Sequence, residues 1–512
     1  MAQYNLPRGT QDFLPEKSEK VSYVEYLLKS VAGLYGYREI RTPIFEHTPL
    51  FLRSVGESSD IVNKEMYTFL DKSDRSITLR PEGTAGVIRA FVENKLYATP
   101  DFPVKLFYDG PVFRYERPKA GRYRQLNQFG FECIGVNGAY SDAELIIMVS
   151  SIVSMLGIKD FKIKINSIGD KESREAYKEA LRTHFKPYLD TMCEDCKRRY
   201  EQNPLRILDC KVDNQHEAVL SAPKITDYLN EKSLKYFNDV IVILNKYGIP
   251  YELDPSLVRG LDYYCDTVFE ITALAPSGQD YGAIGAGGRY DGLVEEIGGP
   301  SLPAVGMAFG IERLVLLLDE YHLLDDIKST LDVYVMPVGE NAMNLAFEIA
   351  TFLRGNGFKT GIDYQNRSIK AQFKTVERLQ APIAVIIGED EVKNGTANVK
   401  NTLTKEQVTI PLHDLLPCID TLLKSMEEPV EDHHCCCGHH HEEDEEHECN
   451  CGHHHEEGEE HECCCGHHHE EGEEHECNCG HHHEEGEEHE CCCGHHHDED
   501  DGEHKCKCGH NH

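Results

Sequence analysis

The chain has 512 residues and a formal net charge of −37, a length that suits about three domains of roughly 150 residues. No apolar run approaches the roughly 18 residues of a membrane span, and MAQYNLPRGTQDF lacks the cationic start and apolar core of a secretory signal. The charge is concentrated in residues 427–512, which hold 30 acidic and 2 basic residues, 15 of the 21 cysteines and 24 of the 29 histidines.

The body before that tail is mildly acidic and mixed in charge, so strong non-specific nucleic-acid binding is not expected of it and any RNA face must be local. Its six cysteines are too sparse for a disulfide scaffold and suit a reducing cytoplasm. Val21, Val24, Leu28 and Val31 recur at helical spacing and predict a helix over 17–35. Pro43 and Pro49 then favour extended chain through TPIFEHTPLF. TLRPEGTAG follows, with Glu82 ahead of a helix and Thr84 as its candidate N-cap. Residues 104–114 and 125–135 read as two strands around a basic hairpin. That hairpin carries Arg114, Glu116, Arg117, Lys119, Arg122 and Arg124, and its arginine forks suit phosphate or carboxylate. In the second strand Gln128, Gly130 and Glu132 alternate onto one face, with the glycine leaving room for a ligand between an amide and a carboxylate.

Residues 170–250 are richer in charge and helical pattern and read as an insertion. It holds Cys193, Cys196 and Cys210, which suit either free thiols or a zinc site with His216 as a conceivable fourth ligand; one CxxC with a third cysteine is an incomplete signature. Strand-like sequence returns over 257–273 with Arg259, Asp262, Tyr263 and Tyr264, and GAIGAGGRYDG reads as a glycine-rich link. VGMAFG then leads into a helix whose first turn bears Arg313, an unfavourable end for a cation beside a glycine-floored surface, which points to a phosphate. From Leu331 strands and helices alternate, predicting a small α/β domain with a mixed or parallel sheet over 331–425.

The tail repeats CxCGHHHEExEEHE with period 14 from Cys435, Cys449, Cys463 and Cys477. It lacks the apolar surface to offset the entropy of ordering, so it is expected to be disordered without a ligand. Cys435, Cys437, His439, His440, His441, Cys449, Cys451 and His453 are its candidate metal ligands, suiting Zn, Ni, Co or Cu.

LPRGTQDFLP, TLRPEGTAG, FRYERPKAGRYRQLNQFGFE, LVRGLDYYCDTVFE, GGRYDGL and VGMAFGIERL together resemble the histidyl-tRNA synthetase family over about residues 1–425. The resemblance implies a class II synthetase core over 1–325, an α+β fold of antiparallel sheet with flanking helices and the 170–250 insertion, followed by an anticodon-binding domain. It implies ATP, Mg2+, L-histidine and tRNA(His) as the reactants, and a homodimer with GYREIRTPIFE at its interface. By position, Arg114 resembles the arginine on the ATP α-phosphate, Arg313 that on the γ-phosphate, and Arg259 the one at the reacting centre. Glu116 and Arg122 join the ATP-binding loop. Glu82, Thr84 and Gln128 would hold the α-ammonium, Glu132 and Tyr264 the imidazole, and Tyr263 would line the pocket. A regulatory relative that binds histidine without charging tRNA would lack the ATP arginines and the last domain, and both are present here. The resemblance says nothing of the tail.

Overall fold

The computed structural model describes residues 4–55, 59, 61–328 and 330–427; the repeat tail and its candidate metal ligands lie outside them. Two compact units divide near residue 330.

The first unit is built on an eight-stranded sheet. Its strands run Arg38–Glu39, Val104–Phe113, Gln125–Ile134, Ala304–Gly310, Gly285–Arg289, Cys265–Ala273, Phe161–Ser167 and Glu252–Leu253. The interior pairs are antiparallel and only the two short edge strands pair parallel. Alternation sorts the side chains by face. Phe107, Phe129, Phe131, Ile163, Ile165, Phe269, Ile271, Met307 and Phe309 point into one core with the helices Pro15–Leu34, Ala139–Met155, Glu231–Lys246 and Ile311–Glu320. The opposite face is lined by Leu106, Tyr108, Val268 and the helix Thr84–Glu93 in a second, smaller core. One face is thus sealed by helices, which leaves the other for a ligand.

The first helix buries Val21, Val24, Leu28 and Val31, the stripe its spacing predicted. Three expectations are corrected. Pro49 does not extend the chain: it sits in the first turn of the helix Thr48–Val55, where its missing N–H costs nothing. Residues 257–264 are loop, and only Cys265–Ala273 is strand. The glycine-rich link is a central strand, Gly285–Arg289, between two neighbours. A Cβ on Gly287 would stand 2.4 Å from the Gly306 carbonyl, so close strand approach demands glycine there.

The expected insertion over 170–250 divides in two. Tyr177, Leu181, Phe185, Met192, Cys196, Ile207, Cys210, Ala218 and Ile225 form a separate small core. The helix Glu231–Lys246 instead places Phe237, Val240, Ile243 and Leu244 in the main core. Each piece starts at its own cap: Asp170 Oδ1 accepts from Ser173 N at 3.0 Å, and Asn230 Oδ1 from Ser233 N at 2.9 Å.

Arg289 is fully buried and pins the sheet to the Ala139–Met155 helix by pairing with the buried Asp142 carboxylate. It also donates to Asp291 at 2.9 Å, the Ser141 hydroxyl at 2.8 Å and the Val136 carbonyl at 3.3 Å. Arg289→Ala would leave Asp142 uncompensated and should cost about 3–5 kcal/mol. The denaturation midpoint should recover in large part with Arg289→Met combined with Asp142→Leu. A single variant as stable as the parent would refute the anchor.

The second unit carries a five-stranded mixed sheet, in the order Thr360–Ile362, Val333–Pro337, Ile383–Ile387, Thr396–Asn401, Gln407–Pro411. The first three strands pair parallel, and 333–337 and 383–387 are buried at every position, so their apolar runs do not alternate. The last two are antiparallel and were not legible, because TANVKN offers only Ala397 and Val399 as buried apolar positions and Gln407–Pro411 is a largely exposed edge strand. Among the described residues no helix is long and apolar enough to cross a membrane.

Candidate active site

Cross-strand register assembles the open face of the first sheet. Glu132 stands beside Gly306 and Leu106, Gly130 beside Ala308 and Tyr108, and Gln128 beside Gly310 and Gly110. Ala308 continues to Ala286 and then Glu270. The result is a floor of small residues with carboxylates at either end.

At one end Glu132 is almost fully buried. Its carboxylate accepts the Thr84 hydroxyl at 2.6 Å and the Tyr290 hydroxyl. Burial pushes its pKa up to about 8, against the pull of those two hydrogen bonds. Tyr263, Tyr264 and Tyr290 cluster beside it, with ring centroids 4.6 Å apart for the first pair and 5.5 Å for Tyr263 and Tyr290. Glycines make this packing possible. A Cβ on Gly306 would lie 1.8 Å from Glu132 Oε2, and one on Gly130 2.2 Å from the Tyr108 ring. The space over Gly130, expected to hold a ligand, is therefore filled by Tyr108.

Glu82 is the helix cap that Thr84 was expected to be. Its Oε2 accepts from Thr84 N at 2.8 Å and its Oε1 from Ala85 N at 2.7 Å. Burial raises its pKa and those hydrogen bonds oppose the rise. Thr84 is freed to hold Glu132. Gln128 Oε1 is buried with no hydrogen-bond partner among the described residues, an acceptor facing the site with nothing to accept from.

Cations gather toward the other end. Arg114 Nε donates to Pro81 O at 2.8 Å. Arg313 Nε donates to Gly121 O at 2.9 Å and its Nη1 to Ala283 O at 2.7 Å. Arg122 pairs with Glu116 at 2.9 Å. Burial lowers the Arg313 pKa, and the nearby Arg122 and Arg114 guanidiniums lower it further, while Glu116 and Glu270 oppose. Arg313 of the helix Ile311–Glu320 thus sits against the hairpin at Gly121, within electrostatic reach of the hairpin's Arg114 and Arg122. Glu312 locks the start of Arg313's helix by accepting Asn127 N and Nδ2, each at 3.0 Å. Arg117 and Lys119 are exposed on the hairpin, and Arg124 stacks 3.7 Å from the Tyr115 ring, a packing role.

Arg259 lies between the two ends. Its Nη1 pairs with Glu270 at 3.0 Å, and its Nε is buried with no partner among the described residues. Asp262 does not face a ligand; it receives Arg206 at 3.2 Å and Asn203 at 3.3 Å, tying this loop to the insert. Burial pushes the Cys265 thiol up to about 12, which argues against an oxidant-sensitive thiolate. Cys193, Cys196 and Cys210 belong to the insert's own core.

Sequence reasoning missed Tyr108, Tyr290 and Glu270. Tyr290 lies within GGRYDGL and Glu270 within the 257–270 stretch, but only strand register turns them onto this face.

Comparison with known proteins shows the family. The family model for histidyl-tRNA synthetase matches residues 9–314, and that for an anticodon binding domain matches 332–422. The histidine–tRNA ligase of Bacillus subtilis is 50% identical over 416 residues, covering 81% of this chain and 97% of the relative. That of Anoxybacillus flavithermus is 51% identical, with 81% and 98% covered. The crystal structure of apo Staphylococcus aureus histidyl-tRNA synthetase aligns with a TM-score of 0.70 at 44% identity, covering 81% of this chain and all of that one. With a class II fold, converging guanidiniums and these relatives in agreement, the chain belongs to the histidyl-tRNA synthetase family.

Proposed function

We propose that the chain is a histidine–tRNA ligase in which the two ends of this floor hold the two small substrates. Histidine and ATP, carried as its Mg2+ complex, give histidyl-adenylate and pyrophosphate, and the histidyl group then passes to the 3′ end of tRNA(His). The observation that carries the reading is a single sheet face with the Glu132–tyrosine pocket at one end and, toward the other, Arg313 docked on the hairpin of Arg114 and Arg122.

Arg114 binds the α-phosphate and Arg313 the γ-phosphate, with Glu116 and Arg122 completing the loop over ATP. Their backbone-carbonyl partners hold the guanidiniums in place before substrate arrives, a preorganised stabilisation of the charge that develops as the carboxylate attacks. Arg259, whose Nε has no partner among the described residues, meets the histidine carboxylate and the α-phosphate. Glu82, Thr84 and Gln128 take the α-ammonium, which supplies the donor that Gln128 Oε1 lacks. Glu132 and Tyr264 hold the imidazole and Tyr263 lines its pocket. No general base is required where positioning and charge dominate.

The second unit is the anticodon reader. Lys370, Lys374 and Arg378 are exposed at i, i+4 and i+8 of one helix and form its basic stripe, while Arg367 is engaged with Asp363 at 2.5 Å. The insert meets the acceptor arm. A homodimer forms through the GYREIRTPIFE segment, where Ile44 and Phe45 are exposed. The cytoplasm is the compartment this reading implies.

The tail, outside the described residues, buffers divalent transition metals and is dispensable for charging. A chain ending at Glu427 should retain histidine-dependent ATP–pyrophosphate exchange within about twofold of the full chain, because a repeat without apolar residues does not shape the pocket. It should also lose most of its Zn2+ or Ni2+ capacity. Absence of exchange in the full chain would sink the enzyme reading; its loss only on truncation would sink dispensability.

A further inference from the structure

The insert holds a group of side chains that neither histidine nor ATP uses. Cys193 is the N-cap of the helix Glu194–Gln202, Cys196 lies in its first turn, and Cys210 and Asp213 lie in the turn after the short helix Pro204–Ile207. One ligand atom from each of the four comes within 4.8 Å of every other. Cys193 Sγ and Cys210 Sγ are 3.7 Å apart. Zinc–sulfur bonds of about 2.3 Å in a tetrahedron place sulfurs about 3.8 Å apart. Cys193 is partly exposed and the other three are buried, a closed pocket with one way in.

The surroundings are organised as a metal ligand's partners are. Asp213 N donates to Cys210 Sγ at 3.4 Å, and Cys193 N donates to Asp213 Oδ2 at 3.0 Å. His216 is not the fourth ligand. Its Nδ1 accepts the Ala218 N–H at 3.1 Å and its Nε2 lies 3.0 Å from the Thr191 hydroxyl, so both ring nitrogens are engaged.

We infer that Cys193, Cys196, Cys210 and Asp213 form a structural zinc site that clamps the 196–210 segment. Three thiols lose their protons to solvent on binding and the carboxylate completes a four-coordinate, sulfur-rich shell with no open position. The insert's separate core is small, the situation in which a metal staple adds most. The clamp also has a reach. Between its cysteines lie Asn203 and Arg206, and Arg206 Nη2 donates to Gly260 O at 2.5 Å and Asp262 Oδ1 at 3.2 Å. These are the contacts that seat the loop carrying Arg259, so zinc in the insert positions an arginine in the active site. That second step rests on the role proposed for Arg259; the site itself does not.

The test uses the full chain and Zn2+ alone, read by maleimide labelling and peptide mass mapping, which separates these cysteines from the 15 in the tail. Cys193, Cys196 and Cys210 should be protected with Zn2+ and label together, at least about tenfold faster, after chelation by EDTA. Asp213→Asn should weaken protection without removing a thiol. Labelling that ignores both Zn2+ and EDTA, or a peptide linked by a Cys193–Cys210 disulfide in reduced preparations, would overturn the site. After EDTA is removed and Mg2+ restored, exchange should fall about tenfold and return with Zn2+. Protection with unchanged exchange would overturn the coupling to Arg259, whereas a parent chain with no exchange at all would instead count against the ligase reading.

Discussion

Arg259→His is expected to lower histidine-dependent pyrophosphate exchange by about 10³-fold, the scale of losing a preorganised charge at a reacting centre. The guanidinium presents several donors at once: one pairs with Glu270, and a buried Nε is left without a partner among the described residues. Histidine is shorter, largely neutral at pH 7, and cannot bridge a carboxylate and a phosphate. The loop itself should persist, because Arg206 and Asn203 hold Asp262 and Gly260 independently of residue 259. The loss should therefore appear in kcat, with the thermal midpoint and circular dichroism near those of the parent. Exchange within a few-fold of the parent would remove Arg259 from the reacting centre.

Glu132→Gln should act in two directions. Selection of histidine should weaken by about 10³-fold in kcat/KM relative to non-imidazole amino acids, because discrimination of that order relies on buried polar groups that only the right ring satisfies. Stability should move the other way. Glu132 titrates near 8 in the fold, against 4.5 for a free side chain. Below about 4.5 the folded and unfolded chains are both protonated and the group contributes nothing. Between about 4.5 and 8 the unfolded chain releases a proton that the folded chain keeps, so native stability falls as pH rises, by several kcal/mol in all. Glutamine does not titrate. The stability of Glu132→Gln relative to the parent should therefore improve steadily from pH 4.5 to pH 8 and then level off. A difference that is flat with pH would show that Glu132 is not held in a strained, desolvated state. On the proposed reading, the carboxylate is placed for a partner that arrives with the substrate, which offsets that cost.

Much of this molecule was legible before its fold was known. Short-range patterns carried the first helix, the hairpin strands 104–113 and 125–134, the strand-to-helix step at 304–320 and the parallel strands of the second unit. Each is a local matter of side-chain period against one buried face. The motifs around Glu82, Arg114, Glu132, Arg259 and Arg313 likewise carried the family resemblance, and it was the resemblance that implied histidine and ATP. Where local propensity and tertiary demand disagreed, the latter prevailed. Residues 257–264 carry strand-forming tyrosines yet form a loop, while Gly285–Arg289, with every local reason to be a link, is a central strand because its neighbours leave no room for side chains.

What the amino-acid order determined by itself was therefore the inventory: which carboxylates, guanidiniums and thiols exist, and which faces of which elements they share. Tertiary structure alone decided which of them meet. Tyr290 on Glu132 joins segments far apart in the chain, and Tyr108 over Gly130, Glu270 on Arg259 and Asp213 rather than His216 beside three thiols are contacts that no local pattern specifies. The reason is that desolvation and Coulomb forces depend on distance in space, so the charge state of Glu132 and the mutual repulsion around Arg313 exist only once strands and helices have been brought into register.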